Sequence, residues 1–150
     1  MSEKDRAVLK DEILADRFNK LLPELMDDTG IDMWVIISRE YNEDPVMKTM
    51  LPATWLNARR RTILVFYRDK DLGTIEKLAV ARYDVGKNIQ SAWNKEKQPD
   101  QWQALVNIIE ERNPEKIGIN TSSYFNIADG LVKTDYDAFK EALPLELEQK

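Results

Sequence analysis

The sequence predicts an α/β domain, a mixed β-sheet covered by helices, and three observations carry that expectation. Residues 33–37 (Met-Trp-Val-Ile-Ile) form an unbroken apolar run. A strand of that composition is buried on both faces, as in the middle of an α/β sheet. Residues 62–67 and 75–82 are two further strand-like runs separated by Asp69-Lys70-Asp71-Leu72-Gly73, the pattern of an antiparallel hairpin. A helix-patterned segment beginning at Asp100 stands between a short strand at 89–93 and another at 116–120, which resembles a βαβ unit.

The remaining elements follow from spacing and punctuation. Val8, Leu9, Ile13, Leu14, Phe18, Leu21, Leu22, Leu25 and Met26 recur at helical intervals among charged residues, so the chain opens with a helix. Pro23 falls inside that pattern and predicts a kink or break near Leu22. Gly30 is placed as its C-terminal stop. Residues 39–44 are a polar loop, and Pro45 disfavours helical geometry at Asp44. Residues 46–60, divided by Pro52, read as short helical turns, and Gly86 marks a turn. Asp100 and Gln103 match a capping box. Trp102, Leu105, Ile108 and Ile109 make the buried stripe of that helix, and Asn113-Pro114 ends it. A helical turn is expected around Ala128. Thr134 is placed to cap a last helix over 135–143, stopped by Pro144.

At 150 residues the chain suits one domain, 1–150, with a single core. It is 43% hydrophobic and 33% charged, with both signs interspersed and a net charge of -5. That balance argues against a nucleic-acid partner, which needs a basic face, and against an anionic membrane surface. No run approaches the roughly 18 apolar residues of a membrane helix. The segment MSEKDRAVLKDE has no apolar core, so no signal peptide is expected and the compartment leans to the cytoplasm. Cysteine and histidine are both absent. Disulfides, thiolate nucleophiles and zinc-thiolate sites are therefore excluded, as is the usual general base near neutral pH.

Three clusters invite a functional reading. Glu40, Glu43 and Asp44 follow the central strand, where ligands bind in open α/β sheets. Paired carboxylates serve as acid and base when their environments separate their pKa values, and a solvated loop has the same composition. Arg59-Arg60-Arg61 suits a phosphate or carboxylate clamp, or a basic strand entry that pairs with nearby acids or a protein partner. Trp55, with Met47, Met50, Leu51 and Leu56, either packs on the domain or forms an exposed patch for a partner. Trp34 and Trp102 read as core by their periodicity; Trp93 is undecided. Gly-rich phosphate loops, nucleophile elbows and HExxH motifs are missing. The residues by themselves describe an α/β domain with no recognisable catalytic set.

Several strings together resemble a known family. RFNKLLPELMDDTGIDMWVIISREYNEDP (17–45) is similar to the opening of the N-terminal domain of creatinase, prolidase and aminopeptidase P proteins, where a helix leads into a Gly-Ile-Asp-x-Trp strand and a polar loop. RRRTILVFYRD, KIGIN and IADGLVKTDYDAFKEALP continue the likeness in order. The resemblance implies a mixed sheet with helices on both faces, often described as ribonuclease H-like. It also implies a larger catalytic domain in the same polypeptide, beginning where this chain ends, with two divalent metal ions held by Asp, His and Glu. With no histidine here, those ligands map onto no residue of this chain, so its cofactor expectation is none. The implied role is non-catalytic: assembling a homo-oligomer and narrowing access of a peptide substrate to the active site of an Xaa-Pro metallopeptidase. Tyr41, Asn42, Asp44, Trp55 and Arg59 are the residues expected to face that cleft. Two other readings stand beside this one. The first is a stand-alone protein-binding or oligomerisation module; the second is a carboxylate-only metal nuclease, which needs several acids converging on Mg²⁺.

Overall fold

The computed structural model describes residues 1–150 and confirms the α/β class. Five strands form one mixed sheet in the order β4-β3-β2-β1-β5. They are β1 (Met33–Arg39), β2 (Arg61–Asp69), β3 (Thr74–Val80), β4 (Gln90–Ser91) and β5 (Ile117–Ile119). β1, β2 and β3 are an antiparallel meander, whereas β5 joins β1 and β4 joins β3 in parallel. β4 and β5 thus lie on opposite edges. The expected βαβ unit is a wide crossover that carries α4 (Gln101–Arg112) over the sheet between them.

Alternation along the strands divides the apolar residues between two cores. Ile36, Leu64 and Phe66 face α1 (Glu3–Asp16), α2 (Leu22–Thr29) and α3 (Pro45–Met50), meeting Leu14, Phe18, Leu22, Met26, Met47 and Met50. Met33, Val35, Ile37, Ile63 and Val65 face α4, α5 (Lys133–Ala142) and α6 (Leu145–Glu148), meeting Leu105, Ile108, Ile109, Phe139 and Leu147. The continuous apolar run of β1 is accounted for: each residue has a hydrophobic layer on its own side. Burying one such side chain contributes about 1.5–3 kcal/mol, so the central strands anchor the domain.

The helices correct four expectations. Pro23 does not break the first helix. A π-helical turn, Arg17–Leu21, joins α1 to α2, with the Leu22 amide donating to the Arg17 carbonyl. Pro23 lacks the amide that would serve the Asn19 carbonyl, and widening the preceding turn keeps the chain helical without it. The buried stripe is also narrower than the spacing suggested: Leu14, Phe18, Leu22 and Met26 are in the core, while Val8, Leu9, Ile13, Leu21 and Leu25 are exposed. On α4, Asp100 accepts from the Trp102 and Gln103 amides as expected. Gln103, however, turns to Asn107, and Gln98 accepts from the Asp100 amide instead. Finally, α5 starts at Lys133 with no side-chain cap, because Val132 stands at the N-cap and Thr134 lies inside the first turn, where its hydroxyl accepts from Arg39. Pro144 ends α5 but also opens α6.

No helix is long and apolar enough to cross a membrane.

Candidate functional site

A cavity of about 930 Å³ opens at the carboxyl ends of the parallel strands. Arg39 and Glu40 come from the end of β1, Ala81, Arg82 and Tyr83 from the end of β3, and Trp93 follows β4. Arg59, Arg60, Arg61 and Thr62 enter from the start of β2, and Gln101 from the first turn of α4. Five of its lining residues are arginines and only Glu40 is acidic, in a protein whose net charge is -5. Tyr41, Trp55, Tyr83 and Trp93 supply the aromatic wall.

Two of the arginines are fixed by the fold. Register puts Arg39 directly opposite Arg61 on β1 and β2, where like charges repel. Asp135 of α5 sits between them, fully buried. Arg39 makes a two-pronged contact with it, Nε at 2.9 Å and Nη2 at 2.7 Å, and Arg61 Nε donates at 3.1 Å. The Asp135 hydrogen bond pushes the Arg39 pKa above its ordinary value, so this guanidinium stays charged. Arg61 also stacks over Trp102, 4.7 Å from the ring centre.

The other arginines are differently placed. Arg59 lies over the Trp55 ring at 4.2 Å. Arg60 has a left-handed backbone, φ 54°. It is pinned by Glu40, whose carboxylate accepts from the Arg60 amide at 3.1 Å while the Glu40 amide donates to the Arg60 carbonyl at 2.6 Å. Arg59, Arg60 and Arg82 form no ion pair. Tyr41 on the same rim is also left-handed, φ 67°. Two of the three non-glycine residues in this region therefore flank one cavity, and such backbone strain persists where surrounding contacts enforce it.

The acidic cluster does not converge. Glu40 serves Arg60, and Glu43 accepts from the Tyr41 and Ala58 amides at 3.0 and 3.2 Å. Asp44, expected on the rim, is buried at 1% exposure. Its carboxylate accepts from the Val46 amide at 2.6 Å, capping α3, and from Asn120 Nδ2 at 2.7 Å. Asn120 in turn accepts from the Trp34 indole at 2.7 Å. These residues gather no set of carboxylates that could hold the two divalent metals implied by the resemblance.

Of the residues expected to face the cleft, the fold brings Tyr41, Trp55 and Arg59 to the cavity, together with Glu40, Arg60 and Arg61 from the acidic and basic clusters. Asn42 is exposed nearby, its amide donating to the Arg39 carbonyl at 3.1 Å. The alternatives for the Trp55 segment resolve towards packing: Met47, Met50, Leu51 and Trp55 are buried, and only Leu56 is open to solvent. Arg39 was foreseen only as the first residue of the 39–44 loop, and Arg82, Tyr83, Trp93 and Gln101 belong to the site without having been singled out for it. Arg82 directly follows an apolar run and Arg39 follows one after Ser38, so charge at strand ends was the signal available.

The site defines an α/β domain with an arginine-rich, aromatic-walled cavity at the sheet's carboxyl edge. No family model matches the chain, and no curated protein does. A solved structure of the Xaa-Pro dipeptidase from Bacillus anthracis aligns over 91% of this chain and 31% of its own, with 17% sequence identity and a TM-score of 0.44. This chain therefore spans less than a third of that protein's length.

Proposed function

We propose that this chain is the non-catalytic N-terminal domain of an Xaa-Pro peptidase-like metalloenzyme. In that role it borders the active site of a catalytic domain in the same polypeptide and contributes to homo-oligomer assembly. The single observation behind the reading is that Tyr41, Trp55 and Arg59, three of the residues expected to face the cleft, share one cavity at the carboxyl edge of the sheet. The cavity has binding groups, and the chain contains neither the histidine nor the cysteine that most often serve as general base or thiolate nucleophile. Tyr41, Asn42, Trp55 and Arg59 face the cleft. Asp44 acts behind them by holding the loop. The substrate is a peptide with proline in the second position, and the two metals belong to the catalytic domain.

The test is made in the full-length protein. Tyr41→Ala and Arg59→Ala, both at exposed positions, lower kcat/KM for Xaa-Pro peptides by an amount equivalent to about 1 kcal/mol or more. Unchanged values for both would remove the domain from the cleft. The 150-residue chain alone has no peptidase activity with any divalent metal added.

A second reading, a protein-binding or oligomerisation module, draws on α1, whose outward Val8, Leu9 and Ile13 are all more than two-fifths exposed. The native product separates the two: a 17.5 kDa chain whose complex depends on Val8 and Ile13 favours the module, whereas a longer polypeptide with a catalytic domain favours the first reading.

A further inference from the structure

We propose that the arginine cavity is itself a binding site for a small phosphate ester carrying a planar ring. The inference stands on the cavity alone, whichever protein the domain serves. Asp135 already occupies Arg39 and Arg61. That leaves the guanidiniums of Arg59, Arg60 and Arg82 on one concave wall with no carboxylate partner. A single carboxylate is met by one bidentate arginine. Three free guanidiniums suit an anion of higher charge, and a phosphate monoester offers about two negative charges and three acceptor oxygens.

The cavity also has room for more than a bare anion. Its volume, about 930 Å³, lies in the range of small-molecule sites. Tyr41, Tyr83 and Trp93 line the same cavity as these arginines, and the Arg59 guanidinium already lies over the Trp55 ring. Aromatic faces and guanidinium planes both accept a stacked ring. Glu40 is the one lining carboxylate, and its Oε2 is engaged by the Arg60 amide. It holds the rim's strained turn in place.

Amide NMR shifts of the 150-residue chain, titrated separately with phenyl phosphate, inorganic phosphate and benzoate, test this. Saturable shifts at residues 40–42, 59–61 and 81–83 are expected with phenyl phosphate. Inorganic phosphate should bind more weakly for want of the ring, and benzoate more weakly for want of charge. Arg59→Gln, Arg60→Gln and Arg82→Gln should each weaken phenyl phosphate about fivefold, a conservative share of a charged hydrogen bond. The thermal midpoints of the Arg60 and Arg82 variants should hold, because these side chains are exposed and form no ion pair, while Arg59→Gln gives up only its contact with the Trp55 ring. Lys10→Gln, outside the cavity, should change nothing. Absence of saturable shifts, or affinity unchanged in all three arginine variants, overturns the site. Equal affinity for benzoate overturns the phosphate assignment, and equal affinity for inorganic phosphate overturns the ring.

Discussion

Asp135 shows how one residue sets the electrostatics of the site. It is fully buried between two guanidiniums that the sheet register forces together. Asp135→Ala would leave both arginines facing each other. Breaking a buried pair costs about 3–5 kcal/mol, but these arginines are 42% and 30% exposed, so about 1–3 kcal/mol is expected from denaturant unfolding. Asp44 holds a similar position behind the rim. Asp44→Ala removes the cap of α3 and orphans the Asn120 amide, and should cost about 2–3 kcal/mol in the same measurement. Gly130 is tied to it. A Cβ there would lie 2.2 Å from the Asp44 carboxyl carbon, so Gly130→Ala should destabilise the protein, and Asp44→Ala should largely relieve that effect. None of this was legible in the sequence, because Arg39 and Asp135 are 96 residues apart and Asn120 and Asp44 are 76 apart. The Asp44-Pro45 pair did carry a local signal. Aspartate before proline suits an N-cap followed by a first helical residue, which is how α3 begins.

At the scale of elements, the central strands and α4 were legible because their patterns are local and strong. The apolar run of β1, the hairpin turn with Gly73 at φ 67° and the Asp100 cap all appear where expected. The first helix was legible as a helix but not in its buried face. The π-helical turn shifts phase between α1 and α2, so a stripe counted at constant spacing assigns too many residues to the core. That helix is fastened to the sheet by Arg68 of β2, whose Nε and Nη2 each reach Asp27 of α2 at 3.0 Å. The Arg68 hydrogen bond lowers the Asp27 pKa below its ordinary value. Unfolded Asp titrates near about 3.9. The contribution of the pair is therefore fully present above that pH and is lost as pH falls through the lower folded value. An NMR titration should find Asp27 among the last carboxylates to protonate, and Asp27→Asn should flatten the loss of stability in acid.

Over the whole molecule, the sheet separates two cores and presents one edge for recognition. α1, α2 and α3 close one face, and α4, α5 and α6 close the other. The loops at the carboxyl ends of β1 and β3 are left to build the cavity, where binding residues vary without disturbing the layers beneath. The sheet and its helical cover could be foreseen from patterning. The cavity could not, since it gathers residues from four strands and the start of α4. The proposed function sets this domain beside a catalytic domain in one polypeptide. The most direct measurement is the mass and C-terminal sequence of the native product, captured from its source cells with an antibody against this chain. The expected product lies well above 17.5 kDa and continues into a domain with Asp, His and Glu metal ligands. A native product of 17.5 kDa would contradict the proposed function and leave the cavity as the site of a domain that works alone.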